Sequence, residues 1–241
     1  MMDARGVGRL FYIVKRAVAA VAASTVAVAA LSMMPEPVRP QTEVAVPSPL
    51  PEPVVISPYD DIMQQVEGDT GVDWRLLSAI ACEESKFDPN AVSEAGARGL
   101  MQIMPVVGKH YGAEAAELFD PACNVRVAAQ LLCDAERMLS LPQTIDNNDR
   151  MRFVLACYHC GIGHLSDARR LARAYGENIN SWPVVARYLK LKGDPDYYMH
   201  ECVANGCFSS GSVTAGYVNR VIKLYNSYCS ECAEEPARDD A

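Results

Sequence analysis

Glu84 is the residue of this 241-residue chain best placed to do chemistry. It closes an apolar stretch in which Trp74, Leu76, Leu77, Ile80 and Ala81 recur at roughly helical spacing, and it stands just ahead of a glycine-punctuated loop. Pro89, Gly96 and Gly99 interrupt regular structure there, and Gly99-Leu100-Met101-Gln102 leads into Pro105. The carbonyl end of a helix dipole disfavours negative charge. Apolar neighbours disfavour it further, so the acid form of Glu84 gains and its pKa should rise. A carboxylic acid held protonated near neutrality is the general acid that glycosidic bond cleavage needs. Its neighbour Glu83 projects about 100° round the same helix. Asp88 and Glu94 fall in loops, so spacing supplies no second carboxylate at a fixed position. A bare Glu-Glu pair is more often solvated surface; the residues that follow this one decide otherwise.

Glu84-Ser85-x-Phe87-x-Pro89-x-Ala91-x-Ser93-x-x-Gly96-Ala97-x-Gly99-Leu100-Met101-Gln102-x-Met104-Pro105 resembles the signature of SLT-type lytic transglycosylases. These are lysozyme-like enzymes that cut the glycan strands of peptidoglycan. Leu118-Phe119-Asp120-Pro121-x-x-Asn124-Val125 looks like the family's lead into its next helix. Cys157-Tyr158-His159-Cys160-Gly161 sits where the family carries Ala-Tyr-Asn-x-Gly. Asp167-Ala168-Arg169, Tyr188-Leu189, Pro195-x-Tyr197-Tyr198 and Thr214-x-x-Tyr217-Val218 look like the catalytic domain of the murein transglycosylase F branch. The similarity spans residues 58–228. The solute-binding-type domain that precedes this module in that branch is expected to be absent, since only a short linker lies upstream.

The resemblance implies a lysozyme-like, mainly α single domain with a substrate cleft and little or no sheet. It implies that Glu84 protonates the oxygen between N-acetylmuramic acid and N-acetylglucosamine. The substrate's N-acetyl carbonyl then replaces the missing second carboxylate, and a 1,6-anhydro end results. Ser85 would steady the N-acetyl group or neighbouring backbone, and Gln102 would bind sugar amide or hydroxyl groups. Met101 would form an apolar wall, while Tyr158 and Tyr217 would line the cleft, with the Tyr217 hydroxyl near Glu84. Either tyrosine is alternatively a core ring with a satisfied hydroxyl. His159 stands where the family usually has asparagine, and Ser212-Val213-Thr214 lacks the usual charged residues before the tyrosine. An imidazole still offers one donor and one acceptor to a sugar. A hydrolytic muramidase and a non-catalytic peptidoglycan-binding module are the competing readings.

Helical periodicity sets the frame that must carry these residues. It predicts helices at Tyr59–Gln65, Trp74–Glu84, Pro105–Tyr111, Val125–Leu139, Met151–Cys160, Asp167–Tyr175, Trp182–Leu191 and Val213–Tyr228. In the fourth, Val125, Ala128, Leu131, Leu132, Ala135, Met138 and Leu139 form one stripe. Ser166 and Ser181 read as N-caps, and Gly176 and Gly193 as stops.

The chain divides into a segment 1–34, a Pro-rich linker 35–57, a catalytic domain 58–230 and an acidic tail 231–241. Arg5, Arg9, Lys15 and Arg16 precede an Ala/Val run over 17–34, which reads as an export signal or as an uncleaved inner-membrane anchor. Eight prolines between Pro35 and Pro58 make a semi-extended tether. The expected location is therefore the periplasm, free or tethered. The net charge of −8 excludes a nucleic-acid partner, which needs a basic footprint. It leaves glycan strands, and other cell-wall proteins, as partners. No cofactor is expected.

Nine cysteines are an odd set for an exported chain, so at least one stays free or pairs between chains. Cys157-x-x-Cys160 and Cys229-x-x-Cys232, with His159 and His164, suggest zinc, but the two pairs lie far apart and each sits at a helix end. A metal is not expected. Burial as small hydrophobes is the default for such cysteines, with a Cys202–Cys207 bridge as an alternative.

Overall fold

The computed structural model describes residues 54–233, and the segment 17–34 and the end of the tail lie outside them. Eight α-helices run in the order α1 Asp60–Thr70, α2 Trp74–Ser85, α3 Pro105–His110, α4 Pro121–Leu139, α5 Asn147–Ala174, α6 Trp182–Leu191, α7 Pro195–Tyr198 and α8 Gly211–Ala233. A 3₁₀ turn, Glu117–Phe119, precedes α4. The described residues contain no strand, only isolated bridges pairing Arg98 with Val92 and with Ile103. No described helix is long and apolar enough to cross a membrane.

Helix α2 is the element on which the site depends. Asp73 caps it by accepting the Arg75 N–H, which satisfies one of the first-turn donors. Leu77, Ala79, Ile80 and Ala81 are fully buried. Each large side chain among them contributes about 1.5–3 kcal/mol over exposure. The helix packs against α1 and α8. It stops at Ser85 because Lys86 (φ 55°) and Phe87 (φ 64°) turn left-handed, with the Lys86 N–H returning to the Ala81 and Cys82 carbonyls. Two successive non-glycine residues in that region are strained by about 1–3 kcal/mol each. Glu84 is thereby held in a last turn that neither frays nor extends.

Helix α4 begins four residues earlier than periodicity predicts, at Pro121, with Asp120 accepting from the Cys123 N–H. Proline at the first helical position is pre-set for a helix start, and the capping aspartate marks the boundary that a hydrophobic count overlooks. The buried stripe is Val125, Ala128, Leu132, Ala135 and Leu139, joined by Val127 and Ala129. Met138 is half exposed and Leu131 is at the margin, so both leave the expected core.

The helices expected at 151–160 and 167–175 are the two arms of α5, which meet at the non-helical Gly161 (φ 79°, ψ 155°) with no loop between them. Ser166 therefore lies within a helical turn rather than capping one. Gly161, which tolerates a left-handed φ, makes the break. Ser181 occupies the N-cap of α6 without a side-chain capping bond. Helix α5 packs on α4, α6 and α8, and so carries the core.

The cysteines correct a second expectation. Cys202 and Cys207 form no disulfide, and of the nine cysteines only Cys157 is buried. Burial pushes the Cys157 thiol up to about 11 and the Cys160 thiol up to about 12. Both stay protonated at neutrality, unlike the thiolates that metals bind.

Candidate active site

Glu84 is half-buried where α2 meets α8 and the loop that follows α2. Burial pushes its carboxyl up to about 7, aided by the like charge of Glu83 and opposed by the Tyr217 hydroxyl. Near neutrality the group is thus divided between acid and base forms. Glu83 is committed elsewhere. Its Oε1 accepts from Arg220 Nε at 2.6 Å, and its Oε2 lies 3.8 Å from Lys86 Nζ. One turn-end therefore carries two glutamates in different roles, one ion-paired and one free to exchange a proton.

Tyr217 on α8 is buried, and its hydroxyl makes no hydrogen bond of good geometry among the described residues. It lies close enough to Glu84 for each to perturb the other's ionisation: burial and the Glu84 charge hold the phenol far above its ordinary range. A protonated phenol beside the carboxyl can donate as soon as Glu84 gives up its proton.

The loop between α2 and α3 is fastened from three sides. Ser85 Oγ donates to the Leu100 carbonyl at 2.9 Å, with the Ala81 carbonyl at 3.2 Å as the local alternative. Of the two expected tasks for Ser85, the structure places it at the backbone. Tyr158 Oη on α5 donates to the Met101 carbonyl at 2.6 Å. From α4, fully buried Asn124 accepts the Met101 N–H at 2.7 Å and donates to the Leu118 and Arg98 carbonyls at 2.8 and 3.0 Å. Gly99 (φ 75°) runs against this clamp; a Cβ there would sit 2.2 Å from the Leu118 carbonyl and 2.7 Å from Asn124 Nδ2. Only glycine fits.

Met101 departs from its expected place. Its side chain is fully buried in the core and offers no surface to a sugar; its contribution is the backbone held by Asn124 and Tyr158. Gln102 adopts φ 49°, and its amide donates to the Ala91 and Gly99 carbonyls at 3.2 and 3.0 Å. Both amide hydrogens being engaged, its carbonyl oxygen is what remains for a ligand. Among the described residues, three of the four non-glycine residues at positive φ, Lys86, Phe87 and Gln102, lie in this loop. Such strain concentrates where a site must be held in one geometry.

His159 stands at the break in α5, two residues before Gly161. Its Nδ1 lies 3.1 Å from the hydroxyl of buried Thr214, and its ring packs on Tyr217 with centroids 4.5 Å apart. Burial of the ring, then Arg220, lower its pKa, with Glu83 acting the other way. The lowered pKa favours the neutral ring, with Nε2 left for a ligand. His159→Asn is expected to fold and stay active, since an amide also reaches Thr214. His159→Ala should weaken substrate binding by about 0.5–1.5 kcal/mol, the net worth of a neutral hydrogen bond. Binding isotherms on purified sacculi check this, and a chelator should leave both melts unmoved. The described residues hold no group of three metal-ligating side chains.

None of four cavities of about 340–450 Å³ elsewhere on the molecule is lined by Glu84. Periodicity did not reveal Asn124, Arg220 or Thr214 as supports; Asn124 was visible only as one position in the Leu118–Val125 segment.

The geometry agrees with what comparison finds. Residues 61–181 match the model of the transglycosylase SLT domain. Membrane-bound lytic murein transglycosylase F of Shewanella loihica is 34% identical over 169 residues, 70% of this chain and 34% of that protein. Its counterpart from Alcanivorax borkumensis is 34% identical over 168 residues, with the same coverage of both chains. This chain thus spans about a third of those relatives' length. The 70 kDa soluble lytic transglycosylase of Escherichia coli superposes with a TM-score of 0.50 at 24% identity, over 74% of this chain and 25% of that one. An inactive mutant of lytic transglycosylase Slt from Pseudomonas aeruginosa superposes with a TM-score of 0.53 at 19% identity, over the same shares. These two carry the fold, which is lysozyme-like and helical. A family match over half the chain, one that takes in Glu84 and the loop after it, decides the membership: the chain belongs to the transglycosylase SLT domain family.

Proposed function

We propose that this chain is a peptidoglycan lytic transglycosylase that cleaves the β-1,4 bond between N-acetylmuramic acid and N-acetylglucosamine. The observation that carries the reading is Glu84 poised at about 7 beside the Tyr217 hydroxyl, with Glu83 engaged by Arg220. Protonated Glu84 donates to the glycosidic oxygen as the bond to C1 breaks. The N-acetyl carbonyl oxygen of the same muramic acid closes on C1 and forms an oxazolinium. Glu84, now a carboxylate stabilised by Tyr217, takes the proton of the C6 hydroxyl. That oxygen displaces the carbonyl at C1 and leaves a 1,6-anhydro end. A nucleophile within the same sugar outruns water through proximity.

In this reading Tyr158 and Ser85 hold the loop, Gln102 and His159 face the sugar, and Met101 stiffens the wall from within. Mass spectrometry of products from purified sacculi tests the reaction. Anhydro-muropeptides are expected; reducing ends would assign a hydrolase, and no products a binding module.

The reading also places the domain outside the cytoplasm, with residues 17–34 as export signal or tether. The basic residues before that run, and the proline-rich stretch after it, support this. A periplasm-dependent reporter fused after Asp60 is expected to be active. Activity of a cytoplasm-dependent reporter at the same position would overturn both location and substrate.

A further inference from the structure

Beyond the Gly161 break, α5 carries Arg169, Arg170 and Arg173 into a cavity of about 420 Å³, completed by Ser140, Ser166 and Asn180. No carboxylate lines it, in a chain whose net charge is −8. The three guanidiniums are unequally compensated. Arg169 donates to the Leu139 carbonyl at 2.9 Å, Asn180 Oδ1 at 3.1 Å and the Ile179 carbonyl at 3.3 Å, all neutral acceptors. Arg170 pairs with Asp167, but that carboxylate is shared with Lys192. Arg173 is exposed and makes no ion pair among the described residues. The neighbouring cavity does hold Asp146 and Asp149. Asp146 is spent capping α5, and Asp149 is held by Arg152 and the Trp182 N–H.

We propose that this cavity is an oxyanion-binding site, and that its ligand is a carboxylate on the peptide portion of the wall polymer. Arg169 is pre-oriented by its three acceptors, which removes most of the ordering cost of a guanidinium–carboxylate contact. Burial and the proximity of Arg173 disfavour the charge on Arg169, and an anion between the two would relieve both effects. The hydroxyl of Ser166 and the amide of Asn180 supply neutral donors around it, while the Ser140 hydroxyl already donates to the Arg137 carbonyl. Arg173 stands roughly 18 Å along the helix beyond Gly161, at 1.5 Å per residue. At that remove the site engages the polymer without touching the reacting sugar, so it adds to retention on the wall rather than to the chemical step. The oxyanion site stands on the arginines; its assignment to wall peptide rests on the transglycosylase reading above.

Calorimetric titration of the full chain with the free tripeptide of peptidoglycan, and separately with inorganic phosphate at constant ionic strength, tests the proposal. Saturable tripeptide binding is expected, weakened about tenfold in Arg173→Gln, the loss of one charge-assisted contact. The same tripeptide with its carboxylates amidated should not bind. Arg173 makes no ion pair or side-chain hydrogen bond among the described residues, so the variant should melt with the parent. Binding of phosphate but not tripeptide would overturn the ligand assignment. Binding of neither, or tripeptide binding indifferent to Arg173→Gln, would overturn the site. Anhydro product formation is read in a separate experiment, so failure here leaves the Glu84 chemistry standing, and failure there leaves the arginine site standing.

Discussion

Glu84→Gln is expected to lower release of soluble muropeptides from sacculi by roughly 10²–10⁴-fold, the usual contribution of a positioned general acid and base. Binding to sacculi should survive, because the amide keeps the size and one acceptor while losing only the transferable proton. Glu83→Gln is the control. Its side chain is engaged by Arg220 and Lys86 rather than directed to a substrate, so activity should persist. A dead Glu83→Gln beside an active Glu84→Gln would reverse the assignment.

The same substitution carries a stability signature of the raised Glu84 pKa. The folded chain holds the Glu84 proton up to about pH 7, whereas the unfolded chain releases it near the ordinary value of 4.5. A raised carboxylate pKa means that the native state binds more protons than the unfolded state in between. Stability therefore falls as pH rises through that window. Glu84→Gln removes the burden, so it should be more stable than the parent above pH 7 and lose that advantage below about 4.5. Melts at pH 4 and pH 8 compare the two. Turnover of the parent should decline as pH rises through 7, as the acid form of Glu84 is lost.

What was legible in the sequence follows how local the causes are. Glu84 could be read because its helix, its terminus and the glycine loop are all contiguous, and because the motif fixes many positions around it. Its raised pKa was likewise foreseeable from a helix end packed on apolar residues, although burial proves the larger cause. Asn124 could not be read as a clamp, since its partners Arg98 and Met101 lie 26 and 23 positions away. Met101 was misplaced for a related reason. Its type suits a wall or a core equally, and only the packing of α2, α4 and α5 over the loop decides for core. The break in α5 was read as a loop because a single left-handed glycine interrupts periodicity much as a connection does.

Asp167→Asn is expected to be strongly destabilising. Asp167 and Lys192 are both fully buried, with Lys192 Nζ 2.5 Å from the carboxylate. The same carboxylate accepts from Arg170 and from the N–H groups of Ala204 and Asn205, each at 2.9 Å. It thus ties α5 to α6 and to the loop that precedes α8. Burial works against the charge, yet the Ala204, Lys192 and Asn205 hydrogen bonds outweigh it and hold the carboxyl well below its ordinary range. Stability from a depressed carboxylate is present above the ordinary value and lost only as pH falls towards the folded one, so neutral pH shows it in full. Neutralising Asp167 strands a buried ammonium whose other partner is His164 Nδ1, at a cost of about 3–5 kcal/mol. That is a large part of the 5–15 kcal/mol a domain commonly has. Lys192→Met should cost less, because Asp167 keeps Arg170 and both backbone donors while an apolar stem fills the space. Pairing the two substitutions should recover part of the loss, since both charges then leave the interior together. Urea midpoints of the three variants rank them, and a Lys192→Met chain weaker than Asp167→Asn would show that the lysine, not the aspartate, is the hub.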